Sequence, residues 1–239
     1  MSQESNQKTM INDDEIRPEY DFSEGLRGIH AYRFSKLASD EALVHGYWQG
    51  KGFTVGSYSK NEMRDLKTPD FRLSRNGVDV ALCEVKSFQK DAWLESQMKN
   101  AATGEVVGGL RNDPIFNRIS NAIHTAMKQF QSVNSNHSLF NFLFVVNHDT
   151  SARYEDLLRV LTGYEDPLHG VYDLTCAQFS EGRIREEKKE IDLYIWTNST
   201  KSGDLRPPSY YFGNWESRTS VCNLLGIDPA RVKNIPPAA

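Results

Sequence analysis

The stretch from Pro69 to Lys86, PDFRLSRNGVDVALCEVK, decides the fold of this chain. Asn76-Gly77 stands between two runs of apolar and β-branched residues, and both positions tolerate a positive φ. This pattern is typical of a tight β-hairpin. We therefore predict strands over 70–74 and 78–88 that are joined at Asn76-Gly77.

The second strand of this hairpin changes character towards its end. Because side chains alternate between the two faces of a strand, Glu84 and Lys86 point the same way. Three apolar residues are predicted to share that face: Val78, Val80 and Leu82. The turn brings Asp70 back alongside the strand. Two carboxylates and an amine are therefore predicted to converge where the strand leaves the core.

Paired carboxylates and a nearby amine suit one kind of chemistry. Mg²⁺ prefers hard oxygen ligands and is often bound by one or two carboxylates together with water and substrate phosphate. Such an ion polarises a phosphoryl oxygen and lowers the pKa of a bound water. The amine of Lys86 would orient that water and stabilise the charge that develops at phosphorus.

Pro69-Asp70 followed by Glu84-Val85-Lys86 resembles the signature of the PD-(D/E)XK nuclease superfamily, in an order similar to that of archaeal junction resolvases. The resemblance implies a restriction endonuclease-like α/β fold, a three-layer α/β/α core with a central mixed sheet. It implies an endonuclease that hydrolyses DNA and leaves 5′-phosphates. It also implies that Asp70, Glu84 and the Val85 carbonyl bind Mg²⁺, for which Mn²⁺ substitutes, and that Lys86 positions the water.

Two predicted helices, over 29–51 and 115–133, carry further candidates. Glu41 lies within the apolar stripe of the first, where an ionised carboxylate is costly unless it is paired or binds a metal. The resemblance implies that Glu41 supports the metal, whereas a slightly rolled helix would leave it at a solvated edge. Gln129 borders the apolar face of the second helix. The resemblance implies that it contacts the scissile phosphate or the ligands, although border glutamines are ordinary.

The rest of the chain predicts an α/β layered domain, because strands alternate with helices. Further elements are predicted as follows: a strand over 53–55, a long loop or lid over 89–114, a strand over 139–146, a helix over 153–161, a strand over 191–197 and a short helix over 220–225. We divide the chain into a disordered acidic tail (1–24), a nuclease domain (25–200) and a C-terminal extension packed on it (201–239).

The net charge of −4 does not exclude a nucleic-acid partner. Residues 1–25 carry seven acidic and two basic side chains, a net of −5, so the remainder is −4 − (−5) = +1. Four basic residues are candidates for DNA contacts: Lys60, Arg64 and Lys67 before the hairpin, and Arg111 in the lid. A solvated loop would have the same composition, and both interpretations stay open.

Other functional classes find no support. No run of about 18 apolar residues exists, which excludes a membrane span. Three cysteines without metal or disulfide spacing favour a reduced, cytoplasmic setting, and no Gly-Lys-Ser/Thr loop indicates a nucleotide cofactor. The sequence leaves a homodimer open. Two alternatives also remain: a catalytically silent nucleic-acid- or partner-binding module on the same fold, and a structural adaptor in which the motif is coincidental.

Overall fold

A computed structural model describes residues 29–89, 96–97, 99–105, 115–166, 169–200 and 202–229, with the side chains of the first helix placed from Asp40 onward. The helices are α1 (Ile29–Gly50), α2 (Lys60–Asp65), α3 (Ile115–Val133), α4 (Tyr154–Thr162), α5 (Leu174–Ala177), a π-helix (Gln178–Arg183), α6 (Glu187–Glu190) and α7 (Arg218–Leu225). The predicted tail (1–24) and Arg111 lie outside the described residues.

Six strands form one mixed sheet in the order β1-β2-β3-β4-β7-β8, and two more form a separate hairpin. The strands are β1 (Thr54–Gly56), β2 (Phe71–Arg75), β3 (Val78–Phe88), β4 (Phe140–Asn147), β5 (Tyr164–Asp166), β6 (Val171–Tyr172), β7 (Leu193–Asn198) and β8 (Ser209–Phe212). The central strands β3, β4 and β7 are parallel, and the outer pairs are antiparallel. The predicted α/β class and central mixed sheet are confirmed.

Helices cover both faces of this sheet, so the domain has three layers. On the α3 face, α3 and α4 bury Ile119, Ile123 and Leu161 against sheet residues that include Leu143. On the α1 face, the packed residues come from α1, α7 and the sheet: Val44, Trp48, Val221, Cys222, Leu225, Phe142 and Phe144. β4 is buried along almost its whole length, as expected for a central strand that is covered on both sides.

The hairpin between β2 and β3 forms as predicted, with φ of 54° at Asn76 and 76° at Gly77. The start of β3 differs from the prediction. The register pairs Leu73 with Ala81 and Ser74 with Asp79, which leaves Val80 as the extra residue of a β-bulge.

This bulge corrects the predicted face of two residues. Val80 packs against the α1 face, and Val78 is 63% exposed, so only Leu82 shares the α3 face with Glu84. The physical reason is that a bulge adds one residue and shifts the alternation of every residue on its far side. The polar end of β3 keeps its predicted orientation because it lies beyond the bulge.

Residues 202–229 contribute a strand and a helix to the same layers. β8 pairs antiparallel with β7 at the edge of the sheet, and α7 packs on the α1 face. None of the helices in the described ranges is long and apolar enough to cross a membrane. All three cysteines are free and buried.

Candidate active site

Asp70 lies one residue before β2, and its side chain bonds the backbone of β3 where the hydrogen bonds between the two strands end. Asp70 Oδ2 accepts a hydrogen bond of 2.7 Å from the backbone N–H of Val85. The N–H and C=O of a residue in a strand point to the same side, so the Val85 carbonyl lies on the side of β3 that Asp70 occupies. Because Phe71 pairs with Cys83, the next positions outward are Asp70 and Glu84, which the structure brings together.

Glu84 and Lys86 lie on the α3 face of β3 and meet Gln129 of α3. Lys86 Nζ donates to Glu84 Oε1 at 2.5 Å and to Gln129 Oε1 at 3.3 Å. Gln129 Nε2 donates in turn to the carbonyl of Thr68 at 3.0 Å, which links the amine to the segment before Asp70. No donor bonds the other oxygen of Glu84, the buried Oε2, in the described residues. The Asp70 carboxylate is close enough to share a hydrogen bond with Glu84 when one of the two holds a proton.

Burial changes the titration of Glu84, which is 2% exposed. Loss of solvation, followed by repulsion from Asp70, raises its pKa to about 8, although Lys86 and Gln129 oppose this effect. Burial and the neighbouring Asp70 therefore favour the protonated form of Glu84 in the metal-free protein. Its ionised form needs a further positive charge nearby.

The other two carboxylates at the site are shifted in the same direction. Loss of solvation raises the pKa of Asp70, against the opposing effect of the Val85 N–H. Loss of solvation, then repulsion from Asp70 and Asp40, raises the pKa of Glu41. Partly desolvated carboxylates that repel one another are a common arrangement at sites that hold a cation or transfer protons.

Glu41 reaches this group from α1, where it is half-buried at the edge of the helix face rather than in its centre. The centre is formed by Asp40, Val44 and Trp48, each 0% exposed. Val44 and Trp48 are buried as predicted, but Asp40 rather than Glu41 continues their face of the helix. Glu41 is left at the border, beside the cleft that Asp70 also lines.

Asp40 is a residue that sequence reasoning missed. Its Oδ2 accepts a hydrogen bond of 2.6 Å from Ser87 Oγ and lies 2.8 Å from His148 Nε2. These contacts join α1 to β3, one residue beyond Lys86, and to the end of β4. The available signal was its spacing, because Asp40 precedes the buried Val44 by four residues on the same helix face.

A cleft of about 730 Å³ lies beside these groups. Glu41, Asp70 and Gln129 line it, together with Lys67 and Lys128. Sequence reasoning did not select Lys128, because an exposed lysine on a polar helix face gives no distinguishing signal.

Two of the other predicted basic contacts are not brought to this cleft. Lys60 and Arg64 are exposed on α2 and do not line it. The Arg64 guanidinium lies 3.2 Å from the carboxylate of Asp65 and forms an ion pair with it.

The residues present fit a divalent cation that shares its coordination with water and substrate. Within the described ranges, no three His, Cys, Asp or Glu side chains form a group that could hold a metal unaided. Mg²⁺ does not need such a cage, since one or two carboxylates and substrate phosphates are its usual ligands. Asp70, Glu84 and the Val85 carbonyl supply the right oxygen ligands, and no donor among the described residues occupies Glu84 Oε2.

Comparison with known proteins adds no further identification. No family model matches the chain, and no curated protein or solved structure matches it significantly. The function is therefore inferred from the side chains of the site, because a fold by itself does not imply a function.

Proposed function

We propose that this chain is a Mg²⁺-dependent endonuclease that hydrolyses DNA phosphodiester bonds, on a restriction endonuclease-like fold. The observation that carries the proposal is the buried carboxylate of Glu84, which is held between the carboxylate of Asp70 and the amine of Lys86. Two carboxylates this close repel each other unless a proton or a cation lies between them. Its place beside a cleft with two lysines favours a phosphate substrate.

The residues of this chain divide the work as follows. Asp70, Glu84 and the Val85 carbonyl would hold the cation, and Glu41 would support it. When bound, a divalent cation supplies a Lewis acid for the phosphoryl oxygen and a water of lowered pKa. Lys86 orients the attacking water and stabilises the charge that develops at phosphorus.

Gln129 acts as a positioning residue. It accepts from Lys86 and donates to the carbonyl of Thr68, so it fixes the amine relative to the loop that carries Asp70. A side chain held from both ends loses little freedom when the substrate binds, which favours a reactive geometry. By the resemblance of the motif, the products carry 5′-phosphates.

The two cleft lysines would contact phosphates next to the scissile bond. Contacts of this kind supply affinity without sequence information and weaken as salt is raised. Lys67 and Lys128 are both exposed, so they can exchange water and counterions for phosphate oxygens.

The test is a cleavage assay on supercoiled plasmid and on linear single- and double-stranded DNA, with Mg²⁺, Mn²⁺ or EDTA. We expect cleavage in either metal, none in EDTA, and none from Lys86→Ala or Asp70→Asn. The matched control is Lys189→Ala, which removes an exposed lysine of α6 and should cut like wild type. Normal cleavage by folded Asp70→Asn would refute the proposal. Metal-independent DNA binding without any cleavage would instead favour the catalytically silent binding module.

A further inference from the structure

The cleft beside Asp70 has a lining that phosphate binding does not explain. Besides the carboxylates and the lysines, several large apolar or aromatic side chains form its surface: Tyr58, Met63, Leu66, Pro69 and Phe71. Pockets of about 300–1,000 Å³ with apolar walls and a few polar groups are typical of small-ligand sites. The cleft, at about 730 Å³, has this size and composition.

Two of these side chains are exposed although they are large and apolar. Met63 is 54% exposed and Leu66 is 44% exposed. They lie on and just after α2, none of whose residues is buried. An apolar group at a cleft gains free energy when a ligand covers it, and phosphate oxygens cannot supply that cover.

Tyr58 adds an aromatic ring to the same cleft. The residue is 5% exposed, and its buried hydroxyl interacts with the Arg72 side chain. The ring is therefore the part of Tyr58 that the cleft offers to a ligand. The Arg72 guanidinium lies 4.2 Å from the centre of the Tyr58 ring and covers one of its faces.

The apolar part of the cleft is held in place before any ligand binds. Ser59 and Glu62 form a capping box at the start of α2. Glu62 Oε1 also accepts from Arg72 of β2 at 2.6 Å, which ties α2 to the hairpin. A surface that is ordered in advance loses less entropy on binding.

We infer that this cleft binds a nucleobase that is not stacked in a duplex, beside the phosphate that is cut. A base offers an apolar face to Met63, Leu66 and the Tyr58 ring, while the lysines bind its phosphates. A stacked base pair offers no free face, so the substrate is single-stranded, or has one nucleotide turned out of the helix. This inference rests on the proposed nuclease function for the identity of the ligand.

The test measures binding without cleavage. Oligonucleotides that carry 2-aminopurine, whose fluorescence reports stacking, are titrated in EDTA as a single strand, a matched duplex and a duplex with one unpaired 2-aminopurine. We expect a fluorescence change and tighter binding for the single strand. A change with the matched duplex as well would assign the ligand to a base turned out of the helix.

The variant is the double substitution Met63→Ser and Leu66→Ser. Its matched control is Val78→Ser with Leu174→Ser, which removes two side chains of 63% and 78% exposure that do not line the cleft. We expect the first variant to weaken single-strand binding roughly tenfold, because the base loses the apolar surface of two side chains that it would cover. The control should bind like wild type.

Two results would overturn the inference: no fluorescence change with any probe, or equal weakening in the variant and in its control. Because the readout needs no metal and no cleavage, it separates the two proposals. Base binding without any nuclease activity would keep the cleft assignment and reject the nuclease. Metal-dependent cleavage without base binding would keep the nuclease and reject the cleft assignment.

Discussion

Replacing Glu84 with Gln should stabilise the metal-free protein while it abolishes cleavage. In the folded chain, burial and repulsion from Asp70 raise the pKa of Glu84 to about 8, against an ordinary value of 4.5. The unfolded chain therefore loses this proton near pH 4.5 and the folded chain near pH 8. The unfolded state binds fewer protons across this window, so the free energy of unfolding falls as pH rises through it.

The pKa values set the size of this effect. The difference of about 3.5 between them corresponds to at most about 5 kcal/mol above pH 8. Gln keeps the shape of the side chain and an oxygen for Lys86, but it carries no charge to bury. We expect Glu84→Gln to raise the free energy of unfolding by about 2–4 kcal/mol at pH 9 and to change it little at pH 5.

Urea unfolding and thermal melts in EDTA at both pH values measure this difference. A gain of this size corresponds to about 5–15 °C in Tm at pH 9. Added Mg²⁺ should stabilise wild type at pH 9 by mass action and should affect Glu84→Gln much less. The control is Glu155→Gln, an exposed position on α4. The reasoning is refuted if Glu84→Gln is no more stable than wild type at pH 9, or if the gain is the same at pH 5.

Three further predictions concern other parts of the molecule. The hydrogen bond to Asp192, against the opposing effect of burial, raises the pKa of His137 to about 9. The protonated pair therefore adds its full share to the free energy of unfolding below about pH 6.5, and this share is lost as pH rises through 9. His137→Gln should therefore cost about 2 kcal/mol at pH 6 and much less at pH 10 by urea unfolding. A Cβ at Gly213 would overlap the carbonyl oxygen of Ile191. Gly213→Ala should therefore lower the free energy of unfolding by about 3 kcal/mol, measured in thermal melts, and an unchanged Tm would contradict that contact. Lys67→Ala should weaken DNA binding equally for all sequences and reduce the salt slope by about 1 in anisotropy titrations; an unchanged slope would remove Lys67 from the interface.

The local signals of the sequence predicted most of the fold well. The helix over Ile115–Val133 begins and ends where its apolar period does, and the Asn76-Gly77 turn has positive φ at both positions. The run that became β4 was recognised because a strand covered on both faces must be apolar throughout. These features depend on neighbours within one turn or one hairpin, which is why the sequence alone was sufficient.

The short helix over 220–225 was predicted and forms as part of Arg218–Leu225, whereas the short helix α2 was not predicted, because tertiary contacts hold it. The six-residue helix α2 has no buried residue, and an ion pair between Glu62 and Arg72 fixes it to β2. The bulge at Val80 left no mark in the alternation of the sequence. An isolated helix of this length would be marginal in water.

For the candidate site, the sequence by itself determined which groups meet. The spacing from Asp70 to Glu84 and Lys86 is local to one hairpin, whose turn and register bring them together. Only the tertiary structure decided how deeply Glu84 is buried, because that depends on α3 and α1 packing on opposite faces of the sheet. The same packing placed Gln129 on Lys86 and Asp40 on Ser87, contacts that span 43 and 47 residues and that no local period encodes.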